Sequence, residues 1–133
     1  MPGEPAPRFA LLEHSWDGVH WDLLLERGGV LRTWALDGVP ALGVERLGRP
    51  LPDHRLVYLD YEGPISGDRG SVRRVDGGEY GVIEWSEGED EGRIRVRLRG
   101  RQLVGEVLLI RMPLRDETVP AGAVWKVSLG NVD

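Results

Sequence analysis

Apolar and polar residues alternate with a period of two along most of this chain, the signature of half-buried strands, and no convincing amphipathic helix interrupts it. An apolar run predicts a strand over Arg8 to His14. From His20 to Glu26, the residues His20, Asp22, Leu24 and Glu26 take one face and Trp21, Leu23 and Leu25 the other. Gly28-Gly29 supplies a tight hairpin turn into a strand over Val30 to Leu36. Further strands are predicted at Arg55 to Tyr61, Tyr80 to Trp85, Arg93 to Arg99, Leu103 to Met112 and Ala123 to Leu129. Residues 37–53 hold Gly38, Pro40, Gly43, Gly48, Pro50 and Pro52 and read as a loop, with a short helical turn near Val44 to Leu47. Gly63 to Gly78, polar and glycine-rich, reads as a second long connection carrying Arg69, Arg73 and Arg74. The expected fold is all-β: a small antiparallel β-barrel of about eight strands with long connecting loops, closure removing exposed edges.

A length of 133 residues suits one domain, expected over residues 8–133 behind a flexible, proline-rich segment 1–7. The absence of cysteine excludes disulfides and thiolate metal sites. No apolar run approaches the roughly 20 residues of a membrane helix, and the first residues lack a signal-peptide core. A soluble cytoplasmic protein with no membrane partner is the expectation.

The net charge of −5 argues against unselective nucleic-acid binding through bulk electrostatics, though not against a local basic groove. Of the 17 basic residues only Lys126 is lysine, as codon bias in a GC-rich genome would produce. Arg93, Arg95, Arg97, Arg99 and Arg101 form a stripe on one strand face. It reads either as a phosphate track or, more simply, as a solvated outer face balanced by the acidic run Glu87 to Glu91.

The chain has three histidines, and two of them, His14 and His20, lie within nine residues of sequence that also contain Asp22. Two imidazoles and a carboxylate make a mixed nitrogen–oxygen set suited to Mn2+, Zn2+ or Fe2+, with coordination positions left for water or substrate. The competing reading is ordinary half-buried polar residues, because short His/Asp patterns arise easily by chance.

Taken together, several segments resemble the 3′-phosphoesterase domain of bacterial DNA ligase D. The family's F-x-x-x-E-H is matched by Phe9 to His14, its H-x-D-x-R-L-E by His20 to Glu26, and its S-W-A by Thr33-Trp34-Ala35. Its E-D-H-P-x-x-Y-x-x-F-E-G block resembles Asp53-His54 through Tyr58 to Gly63, and its G-E-Y-G resembles Gly78 to Gly81. The closing strands resemble Leu103 to Arg111 and Trp125 to Leu129, so the likeness runs in register from about Phe9 onward. The resemblance implies a small β-barrel with the site in its interior groove. It implies that His14, His20 and Asp22 hold Mn2+, that His54 and Tyr58 (on one strand face) sit at the scissile phosphate, and that Arg46 contacts phosphate. The implied activity removes a 3′ ribonucleoside and then a 3′ phosphate from DNA or RNA–DNA primer ends in repair, and a separately encoded ligase or polymerase is a candidate partner that the sequence leaves open.

The departures concern phosphate binding. The family's clamp arginine two residues after the aspartate is Leu24, its glutamine before the Glu-His pair is Leu12, and its histidine after the first ligand is Ser15. The lysine after the Trp-Ala pair has no counterpart among Leu36 to Val39. Two alternatives therefore stand beside the phosphoesterase: a catalytically impaired binding module of a repair assembly, and a hydrolase of small phosphoesters.

Overall fold

The computed structural model describes residues 5–88, 91–112 and 124–131. Nine strands follow one another: β1 (Arg8–Ser15), β2 (Val19–Arg27), β3 (Val30–Leu36), β4 (Glu45–His54), β5 (Gly63–Pro64), β6 (Ser71–Glu87), β7 (Gly92–Arg99), β8 (Val104–Arg111) and β9 (Trp125–Gly130). All pairings between them are antiparallel, in the order β1-β2-β3-β4-β9-β8-β7-β6, and β6 returns to pair with β1. The sheet thus closes into the expected ring, with β5 as a short addition to β6. Gly28 and Gly29, at φ +64° and +84°, make the two-residue turn that joins β2 to β3.

The ring encloses Phe9, Leu11, Leu23, Leu25, Trp34 and Leu36 from one side and Tyr80, Ile94, Val96, Val107, Trp125 and Val127 from the other. A second, smaller cluster lies on the outer face of β1–β3. There Ala10, Leu12, Leu24 and Leu31 are covered by Leu59 and Val72, with Tyr58, Tyr61 and Ile65 packed alongside. This double burial explains why β1 and β2 carry continuous apolar runs, which strict alternation would not produce.

The structure corrects several expected elements. Residues 37–53 are a loop only as far as residue 44: β4 pairs with β9 over Glu45–Gly48 and with β3 over Gly48–Leu51, so there is no helical turn at Val44 to Leu47. Pro50 and Pro52 are tolerated because they lie beyond the stretch paired to β9, where β4 has one neighbour and a missing N–H need not break a ladder. Arg55 to Tyr61 is not a strand but contains a 3-10 turn over Leu56–Leu59, closed by Tyr58 N–H donating to Arg55 O and Asp60 N–H to Val57 O. Three-residue periodicity places Tyr58 and Tyr61 on one side, their rings 5.6 Å apart, and Leu59 in the outer cluster. The expected loop to Gly78 ends at Gly70, and β6 runs from Ser71. Of the expected N-terminal segment, residues 1–4 lie outside the described residues, as does Ala123 of the last strand.

The arginine stripe on β7 sits across the ring from β3, away from the outer cluster. Arg93 pairs with Glu84 on β6 (3.1 Å) and Arg95 with Glu106 on β8 (2.7 Å), so among the described residues these two find their counterions on the flanking strands. Within that run Glu89 and Asp90 lie outside the described residues, and Glu87 pairs with Arg32. Such exposed pairs contribute little and suit a solvated wall.

Candidate metal centre

His14 on β1 stands directly opposite His20 on β2, and Leu12 opposite Asp22, so the antiparallel register alone brings the trio onto one face. One ligand atom from each lies within 4.8 Å of the other two. His14 Nδ1 is 3.1 Å from His20 Nε2 and 3.7 Å from Asp22 Oδ2, and His20 Nε2 is 3.1 Å from Asp22 Oδ1.

The tautomer of His14 follows from its other nitrogen. His14 Nε2 lies 2.8 Å from the Arg69 carbonyl oxygen, which only accepts, so Nε2 carries hydrogen and neutral His14 turns its Nδ1 lone pair toward the trio. A carbonyl behind a ligand histidine is the usual way such a ring is oriented. Asp22 is buried, and its Oδ1, although 3.1 Å from His20 Nε2, forms no well-oriented hydrogen bond. Burial pushes the Asp22 carboxyl above the usual carboxylate range, against the opposing pull of His20 and His14. Burial also lowers His20, with His14 and Arg49 adding to the effect against Asp22. A group of acceptors held together without enough protons is a poor resting arrangement and a good cation site, so the residues fit a divalent metal.

The trio opens into a cavity of about 460 Å³ whose walls include Arg49 and His54 from β4, Tyr58, Arg69 and the exposed Trp16. Arg49 arrives by register: Asp22, Ala35 and Arg49 are aligned across β2, β3 and β4, which brings Arg49 into the lining of the same cavity as the trio. His54 Nδ1 lies 2.9 Å from Pro52 O and 3.2 Å from Thr33 Oγ1, and Thr33 Oγ1 itself donates to Leu31 O. Nδ1 is therefore the donor, and Nε2 is the nitrogen left for chemistry. The Tyr58 ring packs edge-on to His54 at 5.6 Å.

Residues 12–111 match the family model described as the DNA Ligase D 3′-phosphoesterase domain. The chain belongs to this family. Among its relatives, the multifunctional non-homologous end joining protein LigD of Pseudomonas aeruginosa is 34% identical over 116 residues, covering 83% of this chain and 14% of the relative. The protein of the same name from Mycobacterium bovis is 34% identical over 108 residues, covering 77% of this chain and 14% of the relative. That of Mycolicibacterium smegmatis is 33% identical over 116 residues, covering 78% and 15%. The chain thus spans about one seventh of the length of these relatives.

Within this ligase D phosphoesterase-domain member, five of the six expected site residues converge: His14, His20, Asp22, His54 and Tyr58 all line the cavity. They do so on the outer face of β1–β4, not in an interior groove, because the ring interior is filled by the main core. Tyr58 comes from the 3-10 turn and not from the strand face of His54. Arg46 is the exception. It precedes the register that aligns Arg49 with Asp22, and its Nε donates to Val39 O at 2.9 Å, away from the cavity lining.

Leu24 is fully buried in the outer cluster, so the position matching the family's arginine is an apolar wall. Of the loop arginines, Arg69 lines the cavity, while Arg73 pairs with Glu13 and Arg74 donates to Leu59 O. Arg49 and Trp16 were not singled out by the sequence reading. The signal for Arg49 is its register, hidden while β4 reads as a loop.

Gly70 fixes the strap that carries the Arg69 carbonyl. Its φ is +75°, and a Cβ there would fall 1.9 Å from Ser15 O. Gly70→Ala is expected to displace that carbonyl and weaken metal binding about 10- to 100-fold by calorimetry, the usual range for losing a ligand's orienting partner. Unchanged affinity would show that the carbonyl does not set His14.

Proposed function

We propose that this domain is a Mn2+-dependent (alternatively Zn2+-dependent) phosphoesterase that removes phosphate from nucleic-acid 3′ ends, in the end processing that precedes joining in non-homologous end joining. Membership of a family described as a 3′-phosphoesterase domain and the relatives' end-joining names support the class of reaction and process. The observation that carries the reading is the convergence of the His14/His20/Asp22 trio, with a buried oxygen that forms no well-oriented hydrogen bond, on one cavity with Arg49 and His54.

His14 Nδ1, His20 Nε2 and an Asp22 carboxylate oxygen would hold the ion, which when bound supplies Lewis-acid polarisation of a phosphoryl oxygen. Arg49 offers a fork of N–H donors to the non-bridging phosphate oxygens, taking the load that Leu24 cannot carry. His54 holds its Nδ1 hydrogen on Pro52 O and Thr33 Oγ1, leaving Nε2 to take a proton from the attacking water or, when it carries one, to hand it to the departing ester oxygen. The Tyr58 hydroxyl can donate to the phosphate, and Leu12, Leu51, Ile65 and Val72 line the cavity with apolar surface that strengthens these polar contacts. Ligase and polymerase activities are the natural partners, because a cleaned 3′ end is their substrate. No described helix is long and apolar enough to cross a membrane.

The test is release of inorganic phosphate from a 3′-phosphate primer–template, dependent on added Mn2+. Arg49→Ala is expected to lower kcat/KM about 100-fold while leaving Mn2+ affinity equal or slightly higher, since a nearby positive charge is removed. The apolar wall at Leu24 favours one second reading, a metal-stabilised module that binds ends without cleaving them. Metal-dependent primer binding with no phosphate release would select it. Turnover of small phosphoesters but not primers would select a small-molecule hydrolase.

A further inference from the structure

The turn joining β1 to β2 is built around an outward tryptophan. Trp16 N–H donates to Gly18 O at 2.9 Å across Asp17 (φ 52°) and Gly18 (φ +106°), a tight, left-handed turn. The indole lies nearly parallel to the His14 imidazole, at 20° and 6.1 Å between centroids, yet Trp16 remains 49% exposed. It borders the same cavity as the trio and the cationic side chains of Arg49, Arg55 and Arg69. The ring stands half in water at the rim of this cavity and belongs to neither apolar cluster.

We propose that Trp16 is a stacking platform for the terminal nucleobase of the strand whose 3′ end enters the cavity, a specificity element that rests on the nucleic-acid 3′-end reading above. A cavity lined by Arg49, Arg55 and Arg69, with Asp53 the acid outside the trio and one exposed indole at its rim, matches a polyanion that carries flat rings: phosphate over the trio and Arg49, base against Trp16. The His14 ring behind the indole and the tight turn beneath it hold the platform in place before the strand arrives, so little ordering cost falls on binding. Stacking reads the π-face that every base shares, so the platform is indifferent to sequence but not to the presence of a base. Trp16 is a positioning residue and takes no part in bond breaking.

The experiment compares wild type, Trp16→Ala and Trp16→Phe in binding oligonucleotides that end in a 3′-hydroxyl, which the reaction cannot consume. The terminal nucleotide is either intact or abasic, Mn2+ is present, and anisotropy is the readout. Trp16→Ala is expected to weaken binding of the intact end about 10- to 100-fold, Trp16→Phe to restore most of it, and the abasic end to bind all three proteins alike. Calorimetric Mn2+ affinity is expected to be the same in all three. The platform is overturned if wild type binds intact and abasic ends equally, or if Trp16→Ala loses the same factor on both. A parallel loss of Mn2+ affinity would also overturn it, by reducing Trp16 to a prop for His14. Phosphate release from the corresponding 3′-phosphate strands separates the two readings. Base-dependent binding without release would sink the reaction and leave the platform, whereas release indifferent to the terminal base would sink the platform alone.

Discussion

Asp22→Ala is expected to abolish divalent-metal binding and to reduce 3′-phosphate release by about a thousandfold or more, the scale of losing a centre that stabilises developing phosphoryl charge. Asp22→Asn separates charge from shape. Burial raises the Asp22 carboxyl in the folded chain, with His20 and His14 opposing. A raised acid has its least destabilising influence at low pH and costs stability as pH rises from the unfolded value toward the folded one. Without metal, Asp22→Asn is therefore expected to unfold at the same temperature as wild type or higher at neutral pH. With Mn2+ the order reverses, because only wild type gains the linkage stabilisation, about 2.7 kcal/mol when free metal is 100 times Kd. Thermal unfolding with and without Mn2+ checks both arms, and an equal rise in the two proteins would place the metal elsewhere.

Asp76→Ala is expected to be the most damaging substitution for stability away from the cavity. Asp76 is buried on β6, and its carboxylate accepts backbone N–H groups of Arg101, Gln102 and Leu103 at 3.0, 3.0 and 2.7 Å, tying down the β7–β8 turn. Removing it orphans those donors at a cost of about 2–4 kcal/mol, measured as a drop in the urea midpoint at constant slope. Burial pushes this carboxyl up, but the backbone donors outweigh it and the net pKa is lowered. The sign is thus opposite to that of Asp22: the stabilisation is complete above the unfolded carboxylate value and is lost as pH falls through the folded one. Asp76→Asn is expected to be intermediate and to flatten that acid limb. An unchanged acid limb would show that Asp76 does not drive it.

Strands β1 to β3, the Gly28-Gly29 turn and the meeting of His14, His20 and Asp22 were legible because each depends on local signals: alternation, a glycine pair and residues brought opposite by a single hairpin. What stayed hidden depends on distant partners. β4 carries two prolines and reads as a loop until β3 is present to pair with it, and Arg49 becomes visible as a site residue only through that pairing. Tyr58 lines the cavity but from another element than expected, because the outer apolar cluster rewards three-residue spacing in the 3-10 turn. Arg46 was placed by likeness to a family pattern across a segment whose register the sequence does not fix, and its side chain went to Val39 O. Asp76 gave no signal, since its donors lie 25 to 27 residues away.

The double burial of β1 and β2 has a dynamic consequence. Their amides lie between two apolar clusters, so hydrogen exchange there should require unfolding of the whole ring. The cover over residues 55–70 holds only the 3-10 turn, the two-residue β5 and a few anchoring contacts, so its amides are expected to exchange faster than those of β1 and β2, through opening of the cover alone. Access to the trio would then be set by that cover's opening rate, and opening would withdraw the Arg69 carbonyl from His14 while the β1–β2 wall beneath stays paired.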